Sequence, residues 1–143
     1  MAFKSVSEGI KYFVDNYGND VANALKGTGI YWAVAVAQKC QESGFGTSNL
    51  AKTKNNFGGI LIKGVAKKFD SPQHCFAFYA GTLLSPTKKY RSKGLLSAKT
   101  PHEQLRAIAD GGYCTEPPAD EYYKQVSKIL DKVVAMYKIG KIV

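Results

Sequence analysis

The stretch Ile30-Tyr31-Trp32-Ala33-Val34-Ala35-Val36-Ala37-Gln38-Lys39-Cys40-Gln41-Glu42 is apolar around most of its circumference until its last turn. A helix of that pattern has to be covered on every side, so it is expected at the centre of its domain. Gly27-Thr28-Gly29 breaks the chain before it, and Ser43-Gly44 supplies a C-terminal stop. Working outward, Ser5-Val6-Ser7-Glu8 has the form of a capping box, with Ile10, Phe13 and Val14 at helical spacing behind it, which predicts a first helix from about Val6 to Tyr17. Asn55-Asn56-Phe57-Gly58-Gly59 is a turn-rich loop feeding Ile60-Leu61-Ile62 and Val65, so a small hairpin is expected near residues 57–69. Ser71-Pro72 and Thr100-Pro101-His102-Glu103 each place a cap before proline, predicting helices over about 72–84 and 101–110. Pro117-Pro118 opens a last helix whose stripe is Val126, Ile129, Leu130, Val133, Val134 and Tyr137. The expected fold is α+β, mainly α, with a short β-hairpin lobe, in a single domain over residues 1–143.

Composition bounds the function. At 143 residues, 45% apolar and 12% aromatic, the chain can bury one core of its own. No run approaches the roughly 18 consecutive apolar residues of a membrane span, and Met1-Ala2-Phe3-Lys4-Ser5 lacks the apolar centre of a secretory signal. The expectation is a soluble monomer without membrane insertion or a visible export address. Cys40, Cys75 and Cys114 are odd in number and widely spaced, with only His74 and His102 to assist them, so buried free thiols are expected and no metal or other cofactor. Residues 52–99 hold ten basic side chains against the single acid Asp70, and this segment carries the whole net charge of +9. Such a field draws in polyanions, of which nucleic acid, an anionic membrane and an acidic cell wall are the classes to separate; a merely solvated face is the plain alternative.

The chemistry concentrates where the buried helix ends, because Glu42 is the only acid between Val21 and Phe69. Apolar neighbours and the negative end of the helix dipole both disfavour its charged form. A carboxylic acid held that way can protonate a leaving oxygen, the general-acid role in glycoside cleavage. The competing reading is that Glu42 frays into solvent or pairs with a lysine.

Two motifs decide between them: Gln38-Lys39-Cys40-Gln41-Glu42-Ser43-Gly44-Phe45-Gly46-Thr47-Ser48-Asn49-Leu50-Ala51, and Asn55-Asn56-Phe57-Gly58. They resemble the Gln-x-x-x-Glu-Ser-Gly-aromatic-Gly-x-Ser-x-Leu-Ala and Asn-Asn-Phe-Gly elements of the glucosaminidase domain of glycoside-hydrolase family 73, the flagellar-rod and autolysin-type peptidoglycan hydrolases. The likeness continues through Phe69 to Tyr79, where the family has a Ser-capped helix. It reaches Tyr113-Cys114-Thr115-Glu116-Pro117 with Tyr122 or Tyr123, similar to the family's Tyr-x-Thr-Asp-Pro-x-Tyr, and so covers about residues 28 to 130. It implies a lysozyme-like fold and cleavage of the β-1,4 bond after N-acetylglucosamine in bacterial peptidoglycan, with the glycan strand as partner and no nucleic acid. It also implies Glu42 as catalytic acid, Tyr113 as a site tyrosine facing the sugar, and Phe45, Asn56, Phe57 and Tyr123 as substrate-binding. Such an enzyme acts on the cell wall, in the periplasm or outside the cell, after lysis or dedicated secretion.

One departure bears on mechanism. Many family members carry a second acid in the β-lobe, whereas Gly59 to Asp70 contains no Glu, and Asp70 sits beside the helix cap Ser71. Three groups can fill the second role: Asp70 as base, the substrate's own N-acetyl oxygen, or Glu116; substrate assistance ranks first. Rival functions are a lytic transglycosylase or muramidase on the same scaffold, and a non-catalytic binder of cell-wall glycan or nucleic acid. A nucleic-acid module would show a further signature such as a zinc-finger spacing, and there is none.

Overall fold

The computed structural model describes residues 3–138. Six helices and one hairpin follow in the order α1 (Val6–Leu25), α2 (Trp32–Ser43), α3 (Asn49–Lys54), β1 (Leu61–Ile62), β2 (Val65–Ala66), α4 (Pro72–Leu84), α5 (Pro101–Asp110) and α6 (Ala119–Tyr137). The fold is thus mainly helical with a small antiparallel sheet, as expected. Among the described residues no helix is long and apolar enough to cross a membrane.

Helix α2 is the centre. Every residue from Trp32 to Cys40 is buried, with α1, α5 and α6 packed against α2; α4 packs on α1 and reaches α2 through Tyr79. Its start is pinned by the buried Gln104 of α5, whose Oε1 accepts from the Tyr31 backbone N–H at 2.8 Å while its amide donates to the carbonyls of Gly29 and Leu95 at 3.0 and 2.9 Å. The three predicted caps are formed: the hydroxyls of Ser5, Ser71 and Thr100 accept from the N–H groups of Glu8, His74 and Glu103, each at 3.1 Å.

Two features differ from the sequence reading. Helix α1 runs eight residues past Tyr17, because Val21 and Leu25 extend the buried stripe of Ile10 and Phe13. Gly18 stays helical there: its carbonyl accepts the Trp32 indole N–H at 2.9 Å, and a Cβ would lie 3.4 Å from the indole ring. The short α3 was not anticipated; Ser48 caps it by accepting from Ala51 N–H at 3.2 Å. The hairpin pairs Leu61 with Ala66 and Ile62 with Val65. Its two-residue turn, Lys63-Gly64, has φ of 52° and 79°, the left-handed pair that matches the twist of a tight hairpin. Cys40 and Cys75 are buried free thiols as expected, whereas Cys114 is only half-buried.

Candidate active site

The C-terminal end of α2 opens into a cleft of about 560 Å³. The helix stops at Gly44, which takes the left-handed conformation at φ 56° and returns its N–H to the Cys40 carbonyl. Ser43 locks the turn, donating to the Lys39 carbonyl at 2.5 Å and accepting from Gly46 N–H at 2.9 Å. Glu42 is thereby held two residues before the stop, its side chain 16% exposed and lining the cleft. Among the described residues that line it, Glu42 is the only acid, and Lys39 and Lys88 are the only other charged groups.

Glu42 is not surrounded by apolar groups alone. Lys39, one turn earlier and 1% exposed, places Nζ 2.9 Å from Glu42 Oε1. Of the competing reading, the lysine pair is present and the fraying into solvent is not: the carboxylate pairs with Lys39, stays within the helix and faces the cleft. The buried ammonium is satisfied further, donating to the Tyr113 hydroxyl at 3.3 Å and lying 4.2 Å from the centroid of the Tyr79 ring. Tyr113 in turn donates to Glu42 Oε1 at 3.3 Å. Burial, reinforced by the negative charge of Glu42, pushes the Tyr113 phenol well above its ordinary range, so it stays neutral and keeps its donor.

Beneath this pair lies a second polar layer. Tyr79 of α4 donates to Gln38 Oε1 at 2.5 Å, and Gln38 Nε2 donates to the Tyr122 hydroxyl of α6 at 2.9 Å. Tyr79, Tyr90, Tyr113 and Tyr122 form one wall, with Tyr113 5.7 to 6.4 Å, centroid to centroid, from the other three. Burial raises the phenols of Tyr79 and Tyr122 as well. No buried side-chain polar atom among the described residues is left without a partner. Gly58 and Ile60, from the loop before the hairpin, and Phe78 and Thr82 on α4 also line the cleft. Gly58 passes so close that a Cβ there would come 2.9 Å from Lys39 Nζ and 3.4 Å from Glu42 Oε1.

Of the residues singled out from sequence, Glu42 and Tyr113 are brought together and the others are not. Asn56 braces the loop from within: its Nδ2 donates to the carbonyls of Ile60 and Lys67, both at 2.9 Å, and its Oδ1 accepts from the N–H groups of Gly58 and Ile60. Phe57 is a core side chain, 1% exposed and packed on Tyr17, Phe76 and Phe13. Phe45 is turned away by its own left-handed backbone, φ 61°, and lies over Gly9 with its ring edge-on to Phe3. Tyr123 points toward α5, with the Arg106 guanidinium 4.9 Å from its ring, while its neighbour Tyr122 faces α2 and the cleft. One residue along a helix turns the side chain by about 100°, and that rotation selects Tyr122. Asp70 is 97% exposed next to the cap of α4, its nearest partner His74 Nδ1 at 3.8 Å, and does not line the cleft. Glu116 is exposed and contributes its carbonyl to the Cys114 thiol.

The sequence reading gave no site role to Gln38, Lys39, Tyr79 or Gly58, and of the alternatives Tyr122 and Tyr123 it carried Tyr123 forward as substrate-binding. One signal was present: Lys39 is the only charge in the run Ile30 to Gln41, three residues before Glu42, where a helix puts two side chains on the same face.

The Glucosaminidase family profile, described as mannosyl-glycoprotein endo-beta-N-acetylglucosaminidase, matches residues 18–134. The glycoside hydrolase domain of FlgJ from Salmonella typhimurium has the same fold, with a TM-score of 0.71 at 19% identity over 90% of this chain and 91% of that one. So does the catalytic domain of the autolysin Auto from Listeria monocytogenes, with a TM-score of 0.69 at 18% identity over 96% of this chain and 89% of that one. No curated protein sequence matches the chain.

Proposed function

The chain belongs to the glucosaminidase family of endo-β-N-acetylglucosaminidase-type glycoside hydrolases, and on that premise we propose that it cuts the glycan strands of bacterial peptidoglycan at the β-1,4 bond after N-acetylglucosamine. Glu42 is the general acid. The observation that carries this reading is its isolation: it is the one acid among the described residues lining the cleft, held by a helix end and two donors. The tyrosine wall suits a pyranose, whose C–H face packs on aromatic rings while its hydroxyls stay hydrogen-bonded.

With a single acid in the cleft, the attacking group comes from the substrate. The N-acetyl oxygen reaches the anomeric carbon as Glu42 protonates the leaving oxygen, and water then opens the resulting ring. Asp70 and Glu116, both exposed and outside the lining, are poorly placed for that role. The exposed lysines of residues 52–99 attract the acidic wall on which the enzyme acts, as a monomer with no nucleic-acid partner.

Mass spectrometry of muropeptides after incubation with purified peptidoglycan tests the proposal. Products ending in reducing N-acetylglucosamine are expected. Anhydro-sugar ends would reassign the chain's chemistry to transglycosylation, and intact glycan with bound protein would leave only a binding module.

A further inference from the structure

Lys39 occupies an unspecified position of the Gln-x-x-x-Glu motif, yet it is the most deeply buried cation described, 1% exposed at the floor of the cleft. A buried ion pair is an expensive way to fill space, since well-packed apolar side chains of similar volume are often as stable or more so. The geometry around Glu42 gives the ammonium a task. Lys39 Nζ and the Tyr113 hydroxyl both donate to Oε1, at 2.9 and 3.3 Å, so that oxygen is occupied twice over. Gly58 leaves the space beside them that any side chain would take from Nζ.

We propose that Lys39 is the positioning residue for the proton of Glu42: by holding Oε1 it leaves Oε2 to carry the proton into the cleft, and its charge stabilises the carboxylate that forms as the proton departs. The inference rests on Glu42 being the general acid. In the step itself the proton passes from Oε2 to the glycosidic oxygen, and the electron pair of the breaking C–O bond goes to that oxygen. The anomeric carbon finally takes hydroxyl from water, whose remaining proton returns to Glu42. Negative charge thus grows on Glu42 in the transition state, 2.9 Å from a fixed cation whose own side chain is 1% exposed, and a charge out of water acts more strongly than one in it. Lys88, exposed at the rim, is the only other cation of the lining, and the phenols of Tyr79, Tyr113 and Tyr122 remain neutral, so none of them replaces it.

Help given to proton transfer matters only when the leaving group needs the proton. The test therefore compares Lys39→Met on two substrates: peptidoglycan, and a peptidoglycan-derived oligosaccharide with a dinitrophenyl group on its terminal N-acetylglucosamine. Rates are taken on the acid plateau of each variant's own pH profile. On the natural glycan kcat should fall by about 10- to 100-fold, part of the 10² to 10⁴ attributable to general acid catalysis, with KM within about 3-fold. On the aryl substrate the loss should stay within about 3-fold. Equal losses on both substrates, a change in KM alone, or unchanged kcat on the glycan would overturn the proposal. Glu42→Gln run in parallel separates the two levels: if it lost both substrates equally, the acid assignment itself would fall. Should Lys39→Met not fold, Gly58→Ala decides, because its methyl displaces Nζ while keeping both charges; it should show the same selective loss, and equal or absent losses count against Lys39 in the same way.

Discussion

The floor of the cleft and the hairpin lobe beside it are built on opposite plans. The floor is polar, buried and assembled from distant parts of the chain: Gln38 and Tyr122 meet across 84 positions, Lys39 and Tyr113 across 74. The lobe is local, two strands of two residues joined by a tight turn, with Leu61, Ile62 and Val65 between 47% and 65% exposed. In the second layer of the floor Tyr79 and Gln38 Nε2 each donate to a single acceptor, so a substitution at Gln38 orphans a buried group. In the lobe few contacts are at stake, and local opening costs little. The contrast concentrates the buried polar contacts at the helix end and leaves the lobe with exposed apolar side chains.

The sharpest way to break this contrast is at Glu42. Glu42→Gln keeps the shape and can still accept at its amide oxygen, but has no transferable proton. Clearing of peptidoglycan should fall by about 10² to 10⁴ with the fold intact by circular dichroism. Comparable clearing by a folded variant would remove Glu42 from its role.

Next in size is a purely structural loss in the second layer. Gln38→Leu fills the same volume but strands the hydroxyls of Tyr79 and Tyr122, both buried. Leaving buried polar groups unpaired should lower stability by about 1–3 kcal/mol in denaturant titration. Ile62→Ser in the exposed lobe should stay within about 0.5 kcal/mol. Similar values for the two would erase the distinction between floor and lobe.

The sequence was most legible where local chemistry decides. Ser71-Pro72 and Thr100-Pro101 fixed the starts of α4 and α5 because a cap is read within four residues, and the unbroken apolar run marked α2 as central. The reading of α1 stopped at Tyr17, short of Val21 and Leu25, whose place in the buried stripe depends on the helices packed against it. The site divides likewise. Glu42 stood out as an acid in an apolar run, but the motif resemblance could not say that Phe57 and Asn56 serve the core and the loop instead of the cleft. Nor could it separate Tyr122 from Tyr123, a choice made by the rotation of α6 against α2. Gln38 and Tyr79 stood within the resemblance without a role, because a buried amide acquires its meaning only from hydroxyls brought to it by other helices.

A smaller effect probes the basic segment. Arg91 is committed to the Leu84 carbonyl at the end of α4, so it is a structural cation. Lys88 and Lys89 are exposed, and Lys88 lies on the cleft rim. Lys88→Gln with Lys89→Gln should weaken binding to sacculi several-fold at 0.1 M salt, where the screening length is about 10 Å, and the difference should vanish at 1 M, where it is about 3 Å. Binding indifferent to both salt and substitution would reduce the segment to a solvated face.

The smallest expected effect is the most informative about mechanism. Asp70 is the only acid of residues 52–99, and it stands 97% exposed one residue before the Ser71 cap. A negative charge there favours the positive end of α4 by about 0.3 kcal/mol, the low end for a screened surface position. An essential base has to ionise beside the sugar, and the asparagine that replaces it cannot. A flanking charge can be lost with little consequence. Asp70→Asn should therefore keep most of its turnover on peptidoglycan. The attacking group is then the substrate's amide, so glycan deacetylated at the N-acetylglucosamine should bind and resist cleavage. Rapid cutting of deacetylated glycan, or collapse of activity in a folded Asp70→Asn protein, would return the second catalytic role to a carboxylate and require the lobe side of the cleft to close toward Glu42 when the strand is bound.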